Sequence, residues 1–297
     1  MSAPLSTPSN IAVASNRVRA ATRRRPRASV VLALLMLVVT GLMIVIVPFT
    51  PIYSPYGLDL AHSLMPPFTS WTHPLGTDSL GRDMLSRLAV AGRTSILIAV
   101  PALLINMAVG IILGLVAGYF GGLANTMIMG LADLQLSFPI IILLVMIVAV
   151  VGPGAKTLVI VLGVTYWVRY ARLARVMALS LREREFVLAA RTFGGSSFWI
   201  LRKHIFPQLL SSLAIVGSFD LGVIIILEAS LSYLGLGIQP PTPSWGRMIF
   251  EGQDYTSRDI WLVVLPSVAI FLVVASAQIL SQRFTGEREA QTSVRTV

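Results

Sequence analysis

Long apolar runs separated by short polar intervals dominate this chain. The runs lie at 30–47, 94–118, 125–151, 157–180, 208–235 and 259–280. Each approaches or exceeds the ~20 residues an α-helix needs to cross the hydrocarbon core of a bilayer. No strict alternation of apolar and polar positions marks barrel strands, and backbone groups in lipid need internal partners, so the runs are expected to be helices. The pattern predicts an all-α membrane protein with six transmembrane helices.

The polar interval at 181–207 is the most informative one. Arg182, Arg184, Arg191, Arg202 and Lys203 exclude it from the hydrocarbon, where each charge costs several kcal/mol. It divides at Gly194-Gly195. The stretch 181–193 is helix-compatible, and Ser196 or Ser197 is placed to cap a second short helix that is expected to stop near Pro207. Phe193, Phe198 and Trp199 then stand as apolar knobs at a glycine corner. The competing reading is a membrane-surface amphipathic segment anchored by Arg and Trp.

Charge sets the direction of the spans. Arg169, Arg172 and Arg175 join the basic residues of 181–207, whereas the intervals 48–93, 152–156 and 236–258 carry acids and bases in near balance. With basic residues on the cytoplasmic side, six crossings place both termini and the 181–207 loop in the cytoplasm. The resulting organisation is a basic, disordered tail at 1–29, a first helix at 30–48, an external segment at 49–93, a five-helix core at 94–280 with the loop at 181–207, and a cytoplasmic tail at 281–297. The first run is too long for a usual signal-peptide core, and Pro48-Phe49-Thr50-Pro51 makes a poor cleavage site, so the helix is expected to be retained.

Composition agrees: 55% of residues are hydrophobic and 12% charged, against about 25% charged in soluble domains. The net charge of +10 points to anionic lipid rather than nucleic acid. The sequence contains no cysteine, which excludes disulfides and thiolate metal sites, and its three histidines are far apart. The run from Gly152 to Thr157 lacks the glycine before lysine of a phosphate loop, and no nucleophile–base or metal-ligand set is visible. The chain carries no catalytic equipment and no cofactor site of its own.

Two further sets of residues stand out. Gly110, Gly114 and Gly118 recur every four residues on one helix face, a spacing that lets a second helix approach closely. Asp133, Asp220 and Glu228 fall within apolar runs, with Ser211, Ser212 and Ser218 on the helix of Asp220. Intramembrane acids either line a polar path or are satisfied by a neighbouring helix, and both readings stand. An ion-coupled carrier using Asp220 or Glu228 is the rival class.

The loop resembles the Glu-Ala-Ala coupling motif of ATP-binding-cassette importer permeases. Ala189, Ala190, Gly194 and Pro207 match its positions, while Leu188 replaces its glutamate and His204 its isoleucine. Arg184-Glu185-Phe186-Val187 and Lys203-His204-Ile205-Phe206-Pro207-Gln208 are similar to the version of the dipeptide/oligopeptide/nickel branch. So are the stretch from His73 to Asp83, the stretch from Glu228 to Gly237, and Pro243-Ser244-Trp245-Gly246. The stretch after Leu280 departs from the branch.

The resemblance implies the type I importer fold of the methionine-importer kind. It also implies an ATPase-coupling loop carrying Glu185, Ala189, Ala190, Arg191, Phe193, Gly194, Phe198, His204 and Pro207. The implied partners are a second homologous permease subunit, cytoplasmic ATPase subunits that bind ATP and Mg, and an extracytoplasmic substrate-binding protein. The implied location is a bacterial inner membrane, and the implied cargo is small peptides, with nickel chelates or other small solutes as alternatives.

Overall fold

The computed structural model describes the backbone of residues 27–295 and the side chains of 29–282. The basic N-terminal stretch and the role of the C-terminal tail therefore lie outside the described side chains. Among the described residues all helices and turns assemble without a strand. Five helices are long and apolar enough to cross a membrane, and the count rises to six when one sharply bent helix pair is taken as a single broken span.

Helix α1 (Arg27–Ile46) precedes a folded connecting segment and α2 (Met84–Phe120). At 37 residues α2 is about 55 Å long, well beyond the ~30 Å hydrocarbon core, so its ends project from the bilayer. It starts ten residues before the expected run because Asp83 caps it: Oδ2 accepts from the Ser86 N–H at 2.7 Å. Around this cap the His73–Asp83 motif folds tightly. Gly81 has φ +72°, and a Cβ there would lie 1.7 Å from the Asp59 carbonyl oxygen, so only glycine fits.

The expected third span at 125–151 is not one straight helix. It divides into α3 (Gly122–Leu136) and α4 (Ile140–Val151), bent by 91°. Pro139 has no N–H to continue the ladder and biases Phe138 away from helical geometry. The span at 157–180 likewise divides into α5 (Ala155–Thr165) and α6 (Val168–Leu181), with Tyr166 and Trp167 at the break. Neither glycine nor proline marks that break. It is held by side chains from elsewhere: Asn106 Nδ2 donates to the Leu162 carbonyl at 3.0 Å and Asn106 Oδ1 accepts from Tyr166 N–H at 2.9 Å. Gln135 bonds to the Thr165 carbonyl and accepts from the Trp167 indole at 2.8 Å.

After α6 come α7 (Glu185–Thr192) and α8 (Ser197–Ile200). The second loop helix does not stop near Pro207, as expected, but runs through a wide π turn (Leu201–Ile205) into α9 (Phe206–Tyr233). The π turn has already released the regular ladder, and Pro207 falls in the first turn of α9, where a missing N–H is tolerated. Helix α10 (Trp245–Gly252) packs against α9 and α11 (Trp261–Arg295), which completes the bundle.

Helix α2 is the hub, packed against α3, α5, α6 and α9, while α11 packs against α1, α9 and α10. One core cluster joins Leu88, Ile98, Leu158, Leu162, Ile224 and Trp245. A second, at the opposite end, joins Leu115, Tyr119, Tyr170, Val187, Ile200, Ile205 and Leu213. Exposed apolar side chains such as Leu35, Val39, Ile142 and Val150 form the kind of sides that a bilayer or a partner helix would cover.

Candidate functional site

The segment 185–207 is seated on the second core cluster by three fully buried side chains, Val187, Ile200 and Ile205. Its corner is built by the chain itself. Helix α7 ends at Phe193, and Gly194 adopts φ +79°, which lets Gly194 N–H donate to the Arg191 carbonyl and Gly195 N–H to the Ala190 carbonyl, both at 2.9 Å. Such a left-handed stop satisfies the last carbonyls of a helix and favours glycine. Ser196 then caps α8, its Oγ accepting from Trp199 N–H at 3.3 Å.

The outward side of this corner is apolar. Phe193 is 90% exposed and Phe198 73%, with Trp199, Phe186 and Leu188 also exposed. Of the residues implied for coupling, Glu185, Ala189, Phe193, Gly194, Phe198 and Pro207 lie open at the surface, and Ala190 is half-buried. Arg191 is exposed too, but its guanidinium lies 4.7 Å from the Tyr119 ring and its Nε 3.2 Å from the Tyr119 hydroxyl. His204 lies beneath, its ring edge-on to Trp199 at 4.8 Å, while Lys203 covers the same indole.

The glycines of α2 form the floor of this end. A Cβ added at Gly110, Gly114 or Gly118 would lie 2.5, 2.3 or 2.6 Å from the carbonyl oxygens of Trp167, Ala171 and Arg175. The backbones of α2 and α6 are in direct contact along this line. Arginines of α6 staple the same region. Arg169 Nη1 donates to buried Asp220 at 2.6 Å, Arg172 Nη2 to exposed Asp133 at 2.6 Å, and Arg175 Nε to Asn125 at 2.5 Å.

The structure does not bring the intramembrane acids to one surface. Asp220 is fully buried and is paired with half-exposed Arg169. Ser218 donates to its own helix, at Ala214 and Ile215. Glu228 is buried far from both, accepting from Ser95 at 2.8 Å and Ser232 at 2.7 Å, and so ties α9 to α2. Sequence reasoning missed Asn106 and Gln135, although each is an amide inside an apolar run, and missed Arg169 as the partner of Asp220.

Comparison with known proteins places this architecture. Residues 110–286 match the family model for the binding-protein-dependent transport system inner membrane component. The probable D,D-dipeptide transport system permease protein DdpC of Escherichia coli (strain K12) is 35% identical over 82% of this chain and 80% of its own length. The nickel transport system permease protein NikC of the same strain is 35% identical over 84% of this chain and 89% of its own. The glutathione transport system permease protein GsiD of Pectobacterium atrosepticum is 38% identical over 71% and 70%. An inward-facing structure of the MetNI methionine ABC transporter shares the fold at TM-score 0.54 and 20% identity, covering 67% of this chain and 95% of that one. A multi-pass helical bundle, a cornered loop seated at its end and these matches lead to one conclusion: the chain belongs to the family of binding-protein-dependent transport system inner membrane components.

Proposed function

We propose that this chain is a permease subunit of an ATP-driven importer of small peptides, and that residues 185–207 receive the motion of a cytoplasmic ATPase. The single observation that carries the reading is the loop itself. Its inner face is fixed to the bundle through Val187, Ile200 and Ile205, and its outer face presents exposed Phe193 and Phe198, with the half-covered Trp199 beside them. An exposed aromatic corner on a rigid seat suits a docking knob, since aromatic anchors in a partner's groove carry most interface energy. In this reading the loop and both termini face the cytoplasm, a second permease subunit completes the path, and the ATPase subunits bind ATP and Mg. An external binding protein delivers the cargo.

Peptide cargo is supported by the dipeptide permease among the relatives, with the nickel permease supporting metal chelates as the alternative. Closure of the ATPases would rock the attached spans between two openings, a rigid-body change.

The test is uptake by the transporter reconstituted with its ATPase and binding-protein partners. Gly194→Asp, or deletion of 193–199, is expected to abolish uptake and substrate-stimulated ATP hydrolysis while the complex still copurifies from the membrane. Undiminished uptake by either variant refutes the coupling role. Uptake by the chain alone under an ion gradient would instead establish a carrier.

A further inference from the structure

Helix α6 carries exposed charges at a depth where lipid tolerates none. The span Ala155–Leu181 has 27 residues and is about 40 Å long, against ~30 Å for the hydrocarbon core. Arg169 lies about 21 Å and Arg172 about 26 Å along it from Ala155, so a core placed anywhere within the span contains both. Their side chains are nevertheless 46% and 50% exposed. Asp133 of α3, which accepts from Arg172 Nη2 at 2.6 Å, is 67% exposed.

Three surroundings are available to this patch: lipid, a second subunit or water. Lipid fails on cost, since a charge at this depth costs several kcal/mol unless it faces the bundle interior or a water-filled cavity. Arginine can extend its stem toward an interface, but Asp133 is short and holds Arg172 at its own level. Arg169 is held as well, by Asp220 at 2.6 Å and by the Phe219 ring, 5.1 Å from its guanidinium. A subunit contact fits poorly, because charged residues are depleted from the buried centre of such interfaces. Water remains, and the position suits it. Helix α6 enters the segment 185–207 and α9 leaves it, so the Arg169–Asp220 pair bridges the two helices that the segment joins.

We propose that Arg169, Arg172 and Asp133 line the water-filled path of the transporter and present both signs of charge to the solute that crosses it. The proposal rests on the reading of this chain as an importer permease. A zwitterionic solute such as a small peptide meets here cations for its carboxylate and an anion for its ammonium group. Asp220 balances Arg169 from behind without touching the solute, being fully buried. Glu228, buried against Ser95 and Ser232, takes no part.

The test reads contact with water rather than uptake, so its failure is distinct from failure of the importer reading. The transporter is reconstituted with its partner subunits in lipid nanodiscs. Hydroxyl-radical footprinting then compares two phenylalanines of the unaltered chain. Phe219 is half-buried beneath Arg169, whereas Phe271 is 62% exposed near the middle of the span Trp261–Gln282. A wet patch predicts that Phe219 is modified several times faster than Phe271, the reverse of their exposure in the chain alone. Modification of Phe219 no faster than Phe271 overturns the proposal.

The sequence has no cysteine, so single thiols can be placed in this chain without other changes. Arg172→Cys and Asp133→Cys each remove one exposed charge and leave no buried one unpaired. Both should react with charged methanethiosulfonates far faster than Val39→Cys, which is exposed at the middle of the span Ser29–Phe49. The preferred reagent should also invert. The anionic sulfonatoethyl reagent is favoured at Asp133→Cys, where Arg172 stands alone, and the cationic trimethylammonioethyl reagent at Arg172→Cys, where Asp133 does. The expected preference is about threefold for a charge ~6 Å away in water. Reaction in the isolated chain that is lost in the assembled transporter would assign the patch to a subunit contact. No reaction in either would assign it to lipid, and a preference that fails to invert would turn the charges away from the solute. Each of these three results overturns the proposal.

Discussion

Replacing Gly114 by alanine tests the tightest of the three glycine contacts between α2 and α6. A Cβ there would lie 2.3 Å from the Ala171 carbonyl oxygen and 2.8 Å from the Ala174 Cβ, where ordinary contact begins at 3.4 Å. The nearest obstacle is backbone, so no rotamer relieves it, and α6 must retreat by about 1 Å. A gap of 0.5–1 Å forfeits roughly a quarter to a half of each dispersion contact along the seam, and overpacking of this kind costs about 1–3 kcal/mol. Alanine returns at most about 1 kcal/mol through its better helix propensity.

The net expectation for Gly114→Ala is a loss of about 1–2 kcal/mol. Adding Ala174→Gly should recover little, because it removes the Cβ and leaves the Ala171 carbonyl in place. Gly130→Ala is the control: it lies in α3 with nothing within 4 Å of its Cβ, and should be neutral or gain up to about 1 kcal/mol. The assay is denaturant or thermal unfolding of the full-length chain in micelles, with the three variants compared under one set of conditions. Equal stability of Gly114→Ala and Gly130→Ala would refute the account of the α2–α6 seam.

Other outcomes follow from single contacts. Asn106→Leu strips both bonds from the Tyr166–Trp167 break and should cost about 2–4 kcal/mol, read as a lowered unfolding midpoint. Arg169→Met leaves buried Asp220 unpaired and should cost about 3–5 kcal/mol, whereas the double variant Arg169→Met/Asp220→Leu should recover most of it in a double-mutant cycle. Trp245→Ala removes a fully buried indole that also donates to the Leu88 carbonyl at 3.2 Å. It should cost about 3–5 kcal/mol and open the 236–258 segment to limited proteolysis.

What the sequence revealed depended on whether a feature was written locally. The apolar runs located the spans, and Gly194 with Ser196 located the corner, because a left-handed stop and an N-cap are made by adjacent residues. The break at Tyr166–Trp167 was invisible because the groups that permit it, Asn106 and Gln135, come from other helices. The bend at 137–139 was written in Pro139, yet the continuous apolar run concealed it. Pro207 misled in the opposite sense: a proline that normally stops a helix here follows a π turn and begins the next. The partner of Asp220 is a distant residue, Arg169, and no spacing along the chain discloses it.

The continuity through Pro207 gives the chain a lever arm. Ser197–Tyr233 is a run of 37 residues, about 55 Å end to end, with the exposed Phe198 at one tip and the Ser95–Glu228 tie to α2 near the other. For a rod of that length, a tilt of about 5° imposed at the Phe198 tip displaces the far tip by about 5 Å. The π turn at Leu201–Ile205 is the one place where its winding loosens, so under the coupling proposed for residues 185–207 stiffness there would set how much of a push at the loop is delivered to the far tip.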